Sequence, residues 1–479
     1  MKGYHATAMA LAVIAATLLV SACGDQGPEL VQPPSVKPSA VLIKNVAVLN
    51  VESGAVTSNR DVLLAGDRIA AVTPVGQARA PAGALEIDGS GATLLPGLID
   101  MHGHLGNASA PSWVGELPDP ERNMLSYLYC GVTTVLDPAD LSSQAFKRRA
   151  QVMSGELLGP RIFAAGPMVT ATGGHPVALL EYLAPWWIRW YLIPRFTRQV
   201  DTAEQARAAV QEIAGLGADV IKLSVDHIPD QAPRISREVV AAAVDEARQR
   251  GLRAVAHIGS VEDAIDAADA GVALWVHGVY KERIPDGQIA RLAGYRIPMV
   301  ATMAVFDSHA LLGQGPREPT PLERETVSAE VLAAFNHVPK AKNLEYFRPF
   351  LEMLRPLRPA WRDNVRRLHA AGVTILAGSD TQTGMFPGPG LHRELHLLTE
   401  AGLTPAEAIR AATVDAARFL ANGKEPEFGI VAAGKQADLL LVEGDPSTDL
   451  HALSRIRAVI KGGIPLERHP VSADTDDQR

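Results

Sequence analysis

The chain has 479 residues with a formal net charge of -8, 47% hydrophobic and 20% charged. That balance excludes a disordered chain, and the acidic excess, with a sequence pI near 6.0, argues against a nucleic-acid binder, which would carry a basic face. More than one domain is expected, because single cores seldom grow past roughly 250–300 residues.

Met1 and Lys2 precede an apolar run from Ala8 to Val20, short for a bilayer span, so residues 1–22 read as an export signal. The run closes in LVSAC, residues 19–23, and small residues before a cysteine resemble the lipobox of bacterial lipoproteins. That resemblance implies a lipid on Cys23 and a membrane-anchored protein on the periplasmic side of the envelope. An ordinary signal peptide with a chance cysteine is the alternative. Residues 23–39, rich in Pro, Gly and polar side chains, fit a flexible tether. The other cysteine, Cys130, has no partner once Cys23 is acylated, so no disulfide framework is available.

Residues 40–92 read as short strands and turns, AVLIKNVAVLNVESG and RDVLLAGDRIAAVTPVG, and the same texture returns over 425–468 in FGIVAAGKQADLLLVEGD and IRAVIKGGIP. The two ends are expected to pair into one β domain, with residues 93–424 as a second domain. In that middle stretch helical and β-rich runs alternate: DPERNMLSYLYCG then VTTVLD, SREVVAAAVDEARQRG then LRAVAHIGS, SVEDAIDAADAG then VALWVHG. Ser236 with Gly251 and Ser260 with Gly271 have the spacing of helix caps, and Thr202 with Gln205 and Thr404 with Glu407 that of capping boxes, the last with Pro405 at the first helical position. Alternation of this kind implies a parallel sheet wrapped by helices. An α/β barrel and a doubly wound sheet share that local signature.

Barrel chemistry sits at the C-terminal ends of strands. There the sequence places His102 and His104 after LLPGLID, Lys222 inside the apolar GADVIKLSVD, His257 after LRAVA, His277 after VALWV, and Asp380 at the end of GVTILAGSD. Two histidines two residues apart on an extended strand point the same way. Taken singly, His257 and His277 read as hydrogen-bonded core residues and Asp380 as a helix cap. A buried lysine without a partner is harder to dismiss, since burial disfavours its charge. Polar groups ending several different apolar strands would meet in one mouth, so they read together as a site.

In this order the residues resemble the amidohydrolase superfamily, from about residue 40 to 465, with PGLID before and GKQADLLLVEGDP after. The resemblance implies a distorted (β/α)8 TIM barrel with a small β-sandwich built from both chain ends. It also implies two divalent metal ions, zinc best suited to the imidazole and carboxylate donors, and a carboxylated Lys222 bridging them. His102, His104 and Asp380 would hold one ion and His257 and His277 the other, with Asp380 as the proton carrier. His175, in TATGGHP, would orient the substrate, and Tyr280, just past His277, would either touch substrate or pack.

TILAGSD and GLHRELHLLTEAGLTPAEAIRAATVDAARFL are similar to the branch of imidazolonepropionase-like and bacterial Xaa-Pro dipeptidase-type enzymes, and Lys222 favours the peptidase side. The reading is an amidohydrolase of small, dipeptide-like or N-acyl amino acid substrates. The same two-metal site would also serve a lactonase or phosphotriesterase, and a non-catalytic surface lipoprotein would require a broken ligand set. One departure is Val276, where many relatives carry an acidic residue before the strand-six histidine; it puts the surroundings of His277 in question. The Trp-rich stretch 179–196 is either a buried helix, an apolar lid or a membrane-facing surface, and residues 305–365 look inserted. Oligomeric state is left open, a homo-oligomer included.

Overall fold

The computed structural model describes residues 29–111, 113–339 and 342–471. The expected export signal and Cys23 lie outside the described residues. Among the described residues no helix is long and apolar enough to cross a membrane.

Both chain ends contribute to one nine-stranded sheet. The joint is the antiparallel pairing of Leu439–Glu443 with Ala92–Pro96, in which Leu441 opposes Leu94, while Ala40–Leu49 runs parallel to Ala92–Pro96 on its other side. Alternating side chains of these strands bury Val41, Ile43, Val62, Leu64, Ile69, Leu94, Leu439, Leu441 and Ile460 in one cluster. Burial of this apolar set is what joins segments more than three hundred residues apart.

The intervening chain alternates short parallel strands with helices, a TIM-barrel-like α/β arrangement. Leu98–Asp100, Val132–Asp137 and Arg161–Ala164 form one parallel ladder. Val220–Ser224, Arg253–His257, Leu274–Val276, Met299–Val300 and Ile375–Leu376 follow in order in a second, extended by Met168–Thr170 and Thr197–Gln199 at its start. The two ladders are separate sheets. Backbone hydrogen bonds cross both seams, from Asp219 N–H to Ala164 O at 2.9 Å at one and from Met101 N–H to Ala377 O at 3.0 Å and Asp380 N–H to His102 O at 2.6 Å at the other. The strands are buried on both faces, which is why they read as continuous apolar runs.

The caps are where the sequence puts them. Reciprocal capping boxes join Thr202 to Gln205 and Thr404 to Glu407, and a third joins Ser260 to Asp263, with Gly271 closing that helix in the left-handed conformation. Ser236 Oγ accepts from Val239 N–H at the start of Arg237–Gln249.

Two stretches depart from a plain barrel. Between Met299–Val300 and Ile375–Leu376 lie four helices, Met303–Leu311, Pro321–Thr326, Ala329–Ala334 and Lys342–Ala370. The last runs 29 residues through Pro349, Pro356 and Pro359. Its face of Leu354, Trp361, Val365 and Leu368 is buried in the main core, and that packing outweighs the helix-breaking tendency of proline. The Trp-rich stretch forms two short helices, Val177–Leu183 and Arg189–Phe196, rather than one buried helix. Trp186, Trp187 and Trp190 are 79%, 53% and 73% exposed.

Trp275 is the largest fully buried side chain, and its indole N–H donates to Ala264 O at 3.0 Å. Replacing it with alanine removes both the volume and that bond, so Trp275→Ala should lower unfolding free energy by about 3–5 kcal/mol, read from a thermal or denaturant melt.

Candidate metal centre

Five of the six expected ligands meet in direct contact at the strand ends. Asp380 Oδ1 stands 3.1 Å from His104 Nε2 and 3.5 Å from His102 Nε2, and its Oδ2 is 3.8 Å from His277 Nδ1. The ring of His277 is 4.7 Å from that of His102 and 4.0 Å from that of His257. Donor atoms of His102, His277 and Asp380 all fall within 4.8 Å of one another. Lys222, on the strand Val220–Ser224, is fully buried and close enough to feel His102, His257, His277 and Asp380 electrostatically.

Three of the candidate imidazoles, His104, His257 and His277, are held through a ring nitrogen, and His102 is held through its backbone. Asp100, in PGLID, accepts from the N–H groups of His102 and Ser379, both at 3.0 Å, and from the Ser379 hydroxyl, tying the two ligand-bearing strand ends together. His104 Nδ1 faces Ala139 O at 3.1 Å. His277 Nδ1 lies 2.6 Å from Thr302 Oγ1, so a hydroxyl from the next strand supplies the partner that Val276 cannot. His257 Nε2 lies 3.2 Å from Asp226 Oδ2. These contacts fix which ring nitrogens remain for a metal. Gly378 makes room for the set, since a Cβ there would lie 2.9 Å from His102 Cβ.

The site carries backbone strain. His277, Thr302 and Asp380 have φ of 70°, 45° and 52°, in the left-handed region that non-glycine residues rarely occupy. Conformations of this kind cost on the order of 1–3 kcal/mol each and persist where surrounding structure imposes them.

The electrostatics follow from burial. His102, His257, His277 and His175 are held well below the usual histidine pKa, chiefly by desolvation, and are therefore neutral. Burial also opposes charge on His104, but its hydrogen bond and attraction to Asp380 prevail and raise its pKa. Asp380, despite its own desolvation, is held below the ordinary carboxylate range by His104 and Lys222. Burial drives the Lys222 amine down to about 7, against the pull of Asp380. Lys222 Nζ and His102 Nδ1 are buried with no hydrogen-bond partner. Imidazoles, one carboxylate and an orphaned amine buried together make a donor set that fits divalent cations.

The two expected substrate residues are placed differently. His175 is half-buried, its ring 4.8 Å from that of His257, with a solvent-shielded Nδ1 that has no hydrogen-bond partner. Tyr280 is 1% exposed, stacked on Phe306 at 3.9 Å, with its hydroxyl donating to Asp226 Oδ2 at 2.5 Å. Sequence reasoning did not single out Asp100, Asp226 or Thr302, which touch the ligands, although Asp226 sits in the quoted run with Lys222. It also passed over His309, whose unpartnered Nδ1 lies one helical turn beyond Phe306, within electrostatic reach of Asp380.

The sequence pattern of the amidohydrolase family matches residues 93–465, more than half of the chain, and the protein belongs to that family. It is 26% identical over 404 residues to ochratoxinase of Aspergillus niger, covering 77% of this chain and 75% of that one. A stretch of 121 residues is 32% identical to imidazolonepropionase of Shouchella clausii, 24% of this chain and 27% of the other. Among solved structures, a Xaa-Pro dipeptidase with methionine bound in its active site superposes with a TM-score of 0.70 at 25% identity, over 89% of this chain and 99% of that one. The fold and the family make this protein a hydrolase of amide bonds of the metal-dependent kind.

A buried amine without a partner weakens the metal-free protein. Lys222→Met should therefore raise the unfolding free energy of chelator-treated protein at neutral pH by about 1–3 kcal/mol while abolishing metal uptake. The folded-state pKa of about 7 lies below the ordinary 10.5, so between these values the unfolded chain binds more protons and wild-type stability rises with pH. The gap between variant and wild type should close over that window, as followed by melts at stepped pH.

Proposed function

We propose that the protein hydrolyses amide bonds of small, dipeptide-like or N-acyl amino acid substrates at a binuclear centre bridged by carboxylated Lys222. The observation that carries this reading is Lys222 Nζ, buried and unpartnered beside four imidazoles and Asp380. Carboxylation would turn an amine that has no counter-charge of its own into an anion suited to lie between two cations. His102, His104 and Asp380 would hold one ion and His257 and His277 the other, zinc fitting the donors best. Bound there, the ions supply a water-derived nucleophile near neutral pH and a Lewis acid for the scissile carbonyl.

The protein's own groups do the rest. Asp380, whose carboxylate is hydrogen-bonded by His104, would take a proton from the attacking water and pass it to the leaving nitrogen. The neutral His175 ring, half-buried beside His257, holds the substrate by hydrogen bonding through its free nitrogen. The likeness to the Xaa-Pro dipeptidase supports a dipeptide-like amide bond over an ester or phosphotriester.

Chelation should abolish turnover of a dipeptide and N-acyl amino acid panel, and zinc with bicarbonate should restore it. Only the free amine reacts with carbon dioxide. With Lys222 titrating at about 7, restoration should run faster at pH 8 than at pH 6. Fully metal-loaded protein that turns over esters or phosphotriesters but no member of the amide panel would contradict the substrate class.

A further inference from the structure

Behind the metal ligands lies a second buried cluster centred on Asp226, which is 1% exposed. Its Oδ2 receives the Tyr280 hydroxyl at 2.5 Å and faces His257 Nε2 at 3.2 Å, and its Oδ1 is 2.8 Å from Lys281 Nζ. Lys281 also donates to His227 O and reaches Asp230 Oδ1 at 3.1 Å. The cluster is spread over three adjacent strand ends, each of which also carries a ligand. Asp226 stands four residues past Lys222, Gly259 two past His257, and Tyr280 and Lys281 three and four past His277.

The backbone repeats this connection. Gly259 O accepts the N–H groups of both Tyr280 and Lys281 at 3.0 Å. Gly259 is required here by space, because a Cβ would lie 2.7 Å from Asp226 Cγ and overlap its carboxylate oxygens.

We propose that Asp226 is a positioning residue for the metal centre: it holds the Nε2–H tautomer of His257, presenting Nδ1 as the metal donor, and is itself locked by Tyr280 and Lys281. The inference rests on the binuclear reading above. A neutral imidazole carries one proton, and an ionised carboxylate at Nε2 places it there. Oδ2 of Asp226 accepts from Tyr280 and faces His257, while Oδ1 is ion-paired with Lys281. An asparagine would set an NH2 group against either Lys281 or the His257 and Tyr280 pair. The hydroxyl of Tyr280 is thereby committed to the support of His257, and Lys281 supplies the counter-charge that lets a carboxylate remain buried.

The test titrates zinc into chelator-stripped full-length protein, with metal per chain measured by mass spectrometry and folding checked by circular dichroism. Asp226→Asn should weaken binding about 10–100-fold. Gly259→Ala should do the same while leaving every hydrogen-bonding group in place. Wild-type zinc affinity in both variants would overturn the proposal while leaving the binuclear reading intact, whereas wild-type protein that binds no zinc would overturn that reading instead. A crystal structure of the zinc-loaded wild type decides independently of any variant: zinc on His257 Nδ1 with Nε2 still on Asp226 is expected, and zinc on Nε2 refutes it.

Discussion

The arrangement depends on one buried amine. Lys222 stands on a strand whose five residues are all buried, and nothing donates to or accepts from its Nζ. Desolvation of this kind costs several kcal/mol unless it is compensated, which pulls the pKa of the amine to about 7. No packing advantage explains a lysine in place of leucine there, which is what the proposed carboxylation and metal binding would account for. The same balance explains why the left-handed conformations of His277, Thr302 and Asp380 gather at the strand ends while the capped helices around them follow every local rule.

Much of this was legible in the residues. Runs such as VTTVLD and GADVIKLSVD became strands because both faces are covered by other elements, so apolar content alone marked them. The capped helices were equally plain, since a Ser or Thr with Glu, Gln or Asp three residues on satisfies end groups that would otherwise be exposed. Order along the chain placed His102, His104, His257, His277 and Asp380 at strand ends, and the structure brings them into contact.

The supporting groups were not legible, because they act across strands. Thr302 serves His277 from the following strand, and Asp100 joins the first strand end to the last, across 279 residues. No period or spacing encodes such pairings. The helix Lys342–Ala370 was hidden for another reason: its three prolines argue locally against a helix, and only the buried face ending in Leu368 overrides them. The composition of residues 179–196 left a buried helix, an apolar lid and a membrane-facing surface open, and the tryptophans at 186, 187 and 190 lie on a two-helix excursion that leaves them in solvent.

These features describe a scaffold in which a sheet made from both chain ends buttresses parallel strands, whose ends gather imidazoles, a carboxylate and a buried amine. Anomalous diffraction from a zinc-loaded crystal, recorded in the presence of bicarbonate, tests this most directly. The account predicts two peaks, one beside His102, His104 and Asp380 and one beside His257 and His277, with a modified Lys222 side chain between them. A single peak, or an unmodified Lys222 amine remote from both ions, would contradict it.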